Sequence, residues 1–522
     1  MTLTLRSDSL DWALDHALNF GDTTMFPLPF EYEAIKYDWL NVRAFLAGQD
    51  VLNWVVRPHR AMLSPKAKYG FRVMTQLDPL DFLIYASLVK EIGPDIELAR
   101  IASDIAFSYR CLVGTGGQLF DPGIGYSSFK IKTEQVLDGD ASISHVVAVT
   151  DISDFYPRIY SHRLENALHN STHRNSHVKA IMHLLSGWNG SESFGIPVGN
   201  APSRLLAEAT ISNVDDALLA NGVRFVRYND DYRIFATSYS QSYRHLAFLA
   251  DVLYKTQGLT LQPQKTLTVP TSEFRRRFLP APEERELDSL NDKFGVLLGE
   301  LGLSDPYGEI EYTDLDPDQQ KIIDSLNLVE IFREEIAKDD PDFGIIRFVL
   351  SRMGQLGDDS LVDDALDNLN SLHPIFPSVV GYLRNLRSIT PTRSAEIGGK
   401  VLRLLEDSLI SELDYHRMWA LDLFTHSTEW DNETRFFALL GAARDQLSRR
   451  KLILAMGRAK QRHWFQSQWR SLFDEPHWPR RALLAAASCM PADARNHWCR
   501  SVEPRLDPLE KAVMRWAKNT PF

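Results

Sequence analysis

Two adjacent carboxylates, Asp230 and Asp231, stand at a polar tip between the runs Phe225-Val226-Arg227-Tyr228 and Tyr232-Arg233-Ile234-Phe235. The pattern predicts a β-hairpin with both acids at its turn. Like charges held side by side repel, so a chain keeps such a pair chiefly where a divalent cation, here Mg²⁺, lies between them with phosphates as further ligands. That is the chemistry of phosphoryl or nucleotidyl transfer. An isolated Asp-Asp turn facing water is common and decides little. This one has company: the run Val146-Val147-Ala148-Val149-Thr150-Asp151 reads as a buried strand ending in a third carboxylate. A strand-end acid and a hairpin-tip pair can converge on one metal site.

The elements that would position these acids are also legible. Between them, Gly195-Ile196-Pro197-Val198-Gly199-Asn200-Ala201-Pro202-Ser203-Arg204 is a Gly/Pro loop opening a long helix predicted to run through Val214. Glycine lets backbone amides approach a ligand closely, and a helix N-terminus favours phosphate. After the hairpin come a predicted helix and then Leu259-Thr260-Leu261-Gln262-Pro263-Gln264-Lys265-Thr266. This order of acid strand, glycine-loop helix, Asp-Asp hairpin and distal lysine resembles the palm of the reverse transcriptases.

The resemblance implies roles residue by residue. Asp151, Ile152, Asp230 and Asp231 form the metal-binding set, holding two Mg²⁺ ions about 3.5–4 Å apart, with Mn²⁺ as a substitute. Asp151, Asp230, Asp231 and Lys265 are the catalytic group, Lys265 neutralising or protonating the departing pyrophosphate. A solvated loop lysine is the competing account of Lys265. Tyr156 matches the bulky gate under the sugar, which excludes a 2′-hydroxyl and makes deoxynucleoside triphosphates the substrates. Gly199, Asn200 and Arg204 are expected at the substrate. Lys66 and Arg72, in the basic stretch Ser64–Arg72, are candidates for phosphate contacts as a point charge and a rigid donor fork. An ordinary solvated hairpin explains them as well.

Finer features narrow the resemblance. Val198 stands where most reverse transcriptases carry Gln, and the loop continues as Gly-Asn-x-x-Ser-Arg-x-x-x-Glu to Glu208. With Gly21–Glu31 and Phe107-Ser108-Tyr109-Arg110, this version is similar to the abortive-infection reverse transcriptases of bacteria. Asn229 departs from the small or apolar residues usual in its slot; it suits a tight turn and could contact a primer end. The resemblance implies untemplated DNA synthesis primed by a hydroxyl of the protein itself, a single-stranded DNA product attached covalently, assembly as a homo-oligomer and a role in antiphage defence. Seventeen tyrosines leave the priming residue open. Two other functions compete: an RNA-templated reverse transcriptase, and a non-catalytic helical-repeat binding scaffold with a relic palm.

The rest of the chain sets the frame. At 522 residues and 44% hydrophobic content, it is too long for one ordinary domain and has ample material for large cores. We expect an α+β fold: reverse-transcriptase fingers and palm over 1–285, then an all-α, HEAT-like helical-repeat domain over 286–522. Pro-bearing stretches at 279–282, 305–306 and 314–317 mark the break. Beyond it Ile322/Ile323/Leu326, Phe348/Val349/Met353, Val401/Leu404/Leu405 and Phe436/Phe437/Leu440 each fit one helix face. No apolar run reaches the roughly 18 residues of a membrane span and no signal-peptide core opens the chain, so we expect a cytoplasmic protein without a membrane partner. Cys111, Cys489 and Cys499 have neither disulfide-framework nor zinc-site spacing.

The net charge of −12 is uneven: residues 441–522 hold sixteen Lys and Arg against seven Asp and Glu, a balance of +9 that leaves −21 elsewhere. Within that basic region cations alternate with Trp464, Phe465, Trp469 and Trp478. Such a mixture suits a single strand, with bases stacked on rings at roughly 1–3 kcal/mol each. Core aromatics under a solvated basic face are the equal alternative. Arg275-Arg276-Arg277 could line the palm exit or be plain surface. His169, His173 and His177 recur every four residues, but poor helix formers between them favour a polar connection over a metal site.

Overall fold

The computed structural model describes residues 2–67, 69–139, 144–279, 327–387, 389–430, 433–443 and 445–520. The expected break at 280–320, the 285/286 domain limit and the Ile322/Ile323/Leu326 helix lie outside these residues. The chain divides into two compact units, Met1–Ala61 with Met74–Leu279 and Met62–Val73 with Pro280–Phe522.

In the first unit, α1 (Ser7–Phe20), α2 (Glu31–Tyr37) and α3 (Trp39–Ala47) precede a hairpin of β1 (Arg60–Ala67) and β2 (Gly70–Gln76). There follow α4 (Pro79–Ala99), α5 (Tyr126–Asp138), β3 (Val146–Asp151), α6 (Phe155–Arg158), α7 (Ser161–Ser171), α8 (Asn175–Asn189) and α9 (Ala201–Ala220). The unit closes with β4 (Arg224–Tyr228), β5 (Asp231–Ala236), α10 (Tyr239–Val252), β6 (Leu267–Pro270) and α11 (Thr271–Phe278). Strands β3 to β6 make one antiparallel sheet in the order β4-β5-β3-β6. The β-branched run of β3 is buried along its whole length because this strand lies inside the sheet with helices on both faces. On one face Val147, Val149, Val226, Phe235 and Val269 pack with Phe107, Phe129 of α5 and Phe274 of α11. The other face carries α10, which leans on α9.

The helix that opens at the glycine loop is α9, and it runs six residues past Val214 to Ala220. Asn200 caps it by accepting from Ser203 N at 2.9 Å, with Pro202 in its first turn. Ser238 caps α10 in the same way, accepting from Gln241 N at 3.2 Å.

From Leu328 onward the described elements of the second unit are all helices. Helices Leu328–Ile336, Phe343–Gln355, Phe376–Arg384, Asp414–His426, Gln446–Arg458, His477–Ala486 and Pro508–Asn519 form a row in which each packs on the next. Met62–Val73, the far part of the β1–β2 hairpin, groups with these helices, where Ser64 hydrogen-bonds to Tyr415 and Arg72 lies in the field of Tyr415 and Arg347. No helix among the described residues is long and apolar enough to cross a membrane.

Candidate functional site

The β3–β5 register sets Asp151, the last residue of β3, directly opposite Asp231, the first of β5. Residues so paired in an antiparallel sheet bring their Cβ atoms to about 4.5–5.5 Å, and like charges there are unfavourable. Asp230 joins them from the two-residue turn between β4 and β5, close enough for its carboxyl to feel the charge of Asp151. Three carboxylates thus meet at one end of the sheet, as the sequence predicts.

Two cations answer them incompletely. Lys265, on a short turn anchored where Gln262 N donates to Asp151 O at 2.7 Å, places its ammonium on Asp151. Arg233, two residues along β5 and therefore on the same face, donates to Asp231 while its guanidinium lies over Phe129, Phe274 and Phe278. Asp230 has neither. Burial, then the charge of Asp151, push it up to about 7. Burial also raises Asp231, against the pull of Arg233. Lys265 is lowered by burial, but its hydrogen bond to Asp151 and the nearby acids leave it above its ordinary value. Ile152 offers no side-chain donor and is buried; its N–H donates to Asp230 O at 3.0 Å, stitching the hairpin to the end of β3.

Asn229, the residue before Asp230, adopts φ +54°, a left-handed conformation that Asn tolerates better than most side chains. Its backbone oxygen accepts from Arg227 Nη1 at 2.9 Å and its N–H donates to Ser108 Oγ at 2.7 Å. Arg227 is fully buried and grips Asp215 through Nε at 2.9 Å and Nη2 at 2.6 Å, with Glu208 at 3.0 Å. Glu208 also takes Arg100 at 2.6 Å and Ser108 at 2.5 Å. Burial alone would raise Glu208; Arg227 and Arg100 outweigh it and hold the carboxyl below its usual range. This platform fixes the turn from beneath. The sequence shows Arg227 in the hairpin run, Ser108 and Glu208 in motifs and Asn229 at the tip, but assigns none of them this role. The signal was present: Arg227 and Arg233 are charges inside apolar strands, which survive burial only when paired.

The other expected residues divide. Tyr156, at the start of α6, donates from its hydroxyl to Asn229 Oδ1 at 3.1 Å and so belongs to the cluster. Arg204 lies against Tyr109, 5.3 Å from its ring centroid, and donates to Thr24 Oγ1 at 3.1 Å. Gly199 has φ +109°, and a Cβ there would lie 2.6 Å from Met74 Cε and 2.8 Å from Thr23 Oγ1, so packing of the loop against the N-terminal segment demands glycine. Asn200 differs from the expectation of a substrate contact. Its side chain is buried and used at both ends, accepting at the α9 cap and donating to Pro197 O at 3.1 Å. Lys66 and Arg72 are exposed and belong to Met62–Val73, which groups with the other unit.

Residues 119–279 match the family model for reverse transcriptase (RNA-dependent DNA polymerase). This stretch is a reverse transcriptase domain. The match spans β3, the glycine loop, the hairpin and Lys265, and the activity that goes with it is nucleotidyl polymerisation. No curated protein matches the chain. Among solved structures, telomerase from Candida albicans in complex with a TWJ fragment of telomeric RNA aligns at 12% identity. That alignment covers 78% of this chain and 72% of that one, with a TM-score of 0.31.

Reverse transcriptase domains use divalent ions, and the donor set suits one: three clustered carboxylates carry more negative charge than Lys265 and Arg233 balance. Other candidate clusters have local explanations. His477, Asp507 and Glu510 lie within 4.8 Å of one another, but the two acids form the capping box of helix Pro508–Asn519, and Arg480 also donates to Glu510 at 3.2 Å. His169 ends up on α7 beside Asn175, while His177 on α8 pairs with Glu91 at 2.7 Å, so the histidines do not converge. In the C-terminal basic region Phe465, Trp478, Arg450 and Arg481 are buried, Arg449 pairs with Glu475, and Trp469 stacks on Trp498 at 5.8 Å. Much of that alternation is core. Arg275 and Arg277 form surface ion pairs with Asp138 and Glu273.

Proposed function

We propose that this chain is a DNA polymerase of the reverse-transcriptase type that adds deoxynucleotides at Asp151, Asp230 and Asp231. The observation that carries this reading is the meeting of those three carboxylates at the end of the β4-β5-β3-β6 sheet, under-neutralised by Lys265 and Arg233. Divalent cations held there would activate an attacking hydroxyl and stabilise the charge on the departing pyrophosphate. The protein supplies the rest. Lys265, charged and beside Asp151, neutralises or protonates the leaving group, and the ring of Tyr156 selects against a 2′-hydroxyl. The platform of Arg227, Glu208, Asp215 and Ser108 holds the turn rigid, so that the carboxylates need no reorganisation during the reaction.

The finer reading is untemplated, protein-primed synthesis by a homo-oligomer in antiphage defence. It is supported by Val198 in the glycine loop, by the motifs shared with abortive-infection enzymes, and by the row of stacked helices, which we read as HEAT-like repeats in the place of a thumb. A second reading, RNA-templated synthesis, is favoured by the description of the matched family as RNA-dependent.

One experiment separates them. Nuclease-treated protein is incubated with Mg²⁺ and labelled deoxynucleotides without primer or template, then run on denaturing gels with and without protease. Label that migrates with the protein and is released by protease as long DNA is the expected result. Incorporation only after RNA and a primer are added would replace it with the templated reading.

A further inference from the structure

Asn229 has all four of its hydrogen-bonding groups engaged, and the two on its side chain face different parts of the site. Its Oδ1 accepts from the Tyr156 hydroxyl at 3.1 Å, and its Nδ2 donates to Asp230 Oδ1 at 2.8 Å. The carboxylate decides the orientation of this amide. With Asp230 ionised, the form that holds a divalent cation, its oxygens only accept, so a flipped amide would set oxygen against oxygen. The hydroxyl, able to donate or accept, adapts to whichever atom remains. The backbone is held as firmly by Ser108 and Arg227. Tyr109 reaches the same Tyr156 hydroxyl from another side.

Few side chains could take this place. Aspartate would bring a further negative charge against Asp230 and has no N–H to donate. Serine or alanine would break one or both of these side-chain contacts, and glutamine would reach too far from a turn of this size. Glycine alone would suit the backbone at φ +54° better, at the loss of both side-chain contacts. The residue fits the link, not the turn alone.

We propose that Asn229 is a positioning residue that ties the sugar-facing ring of Tyr156 to the carboxylate of Asp230, so that one amide sets both the choice of sugar and the binding of the divalent cation. The inference rests on the reading of Tyr156 and Asp230 given above. Its physical content is a coupling. Anchored through its hydroxyl, the Tyr156 ring cannot swing aside to admit a 2′-hydroxyl; anchored through one oxygen, Asp230 presents the other in a fixed direction. By linkage, nucleotide binding and cation binding then influence each other through the same residue.

The test uses the full chain and the variants Asn229→Ala, Asn229→Gly, Tyr156→Phe and Asn229→Ala with Tyr156→Phe. Calorimetry measures affinity for the α,β-imido triphosphates of deoxyadenosine and adenosine with Mg²⁺. Thermal melts without nucleotide give the Mg²⁺ concentration for half-maximal stabilisation. Asn229→Ala and Tyr156→Phe should each lower the deoxy-over-ribo preference by about three- to tenfold, the loss of one hydrogen bond. The double variant should lose no more than either single one, because both remove the same contact. Asn229→Ala should also shift the Mg²⁺ midpoint by a similar factor, and Tyr156→Phe should not. Asn229→Gly, which accepts the turn geometry without strain, should repeat the alanine result and answers the question if the alanine variant folds poorly. Unchanged preference in Asn229→Gly, additive losses in the double variant, or a wild-type protein that binds both sugars equally would each overturn the link. A wild-type protein that binds neither nucleotide would overturn the proposed polymerase site itself.

Discussion

Buried acids are treated in opposite ways in the two units. In the helical unit Asp422, fully buried, is met by Lys451, by Arg384 at 3.1 Å and by His426 at 3.4 Å. Burial would raise this carboxyl, but the charge of Lys451, the hydrogen bond with His426 and the charge of Arg384 outweigh it and hold it well below its usual range. At the end of the β-sheet the balance reverses: three carboxylates share two cations, and burial with like charge raises Asp230 to about 7. The contrast teaches where the fold is complete in itself and where it awaits something. Asp422 has its charge answered by the fold itself. The Asp151–Asp230–Asp231 cluster is left electrostatically unfinished, although beneath the same hairpin Arg227 and Arg100 meet Asp215 and Glu208, two cations for two acids.

The largest expected effects would break the comparison outright. Replacing Asp151 or Asp230 by Asn should cut nucleotide incorporation on the order of 10³-fold or more while leaving the fold intact, checked by incorporation assays beside circular dichroism. An inert variant that also unfolds would mean that these acids, like Asp422, are structural. Conversely, Lys451→Met should destabilise the chain by about 3–5 kcal/mol, the cost of leaving a buried carboxylate short of its partner, measured by urea unfolding. Arg227→Met should approach that figure, because it strands Asp215 and loosens the turn at Asn229 as well. Adding Mg²⁺ should rescue neither variant.

What was legible in the sequence follows from the same physics. Asp151, Asp230 and Asp231 could be found because acids stand at the ends of apolar runs, Lys265 and Tyr156 came from the resemblance to a reverse-transcriptase palm, and the structure brings all five together. Strands β3, β4 and β5 were readable from their apolar runs and α9 from its loop, whereas the four-residue β6 was too short to stand out. The supporting platform was not readable. Arg100, Ser108 and Arg227 come from three separate segments and Glu208 and Asp215 from a fourth, α9, and only the tertiary fold makes neighbours of them. Asn200 shows the reverse error: a polar residue in a suggestive loop whose side chain is consumed by capping a helix. The aromatic and basic C-terminal stretch misled in a similar way, since spacing alone cannot distinguish an Arg that faces solvent from Arg450 or Arg481, both buried.

The smallest effect is the most discriminating, because it concerns stability rather than catalysis. With its carboxyl raised to about 7 in the fold against 3.8 as the reference, Asp230 is protonated in the native state and ionised in the unfolded chain between those two values. The native state therefore binds more protons there, and the contribution of this group to stability falls as pH rises from 4 to 7, then stays low. Asp230→Asn removes that penalty. In chelator-treated protein the variant should melt higher than wild type at pH 8, by about 2–4 °C for each 1 kcal/mol relieved, and the gap should close towards pH 5. Mg²⁺ should narrow the gap at pH 8 from the other side, by stabilising the wild-type cluster and not the variant, and should lose that power as protons compete for Asp230 below pH 7. A substitution that destabilised the protein at pH 8 would place Asp230 with Asp422 instead, as an acid whose charge the fold itself uses.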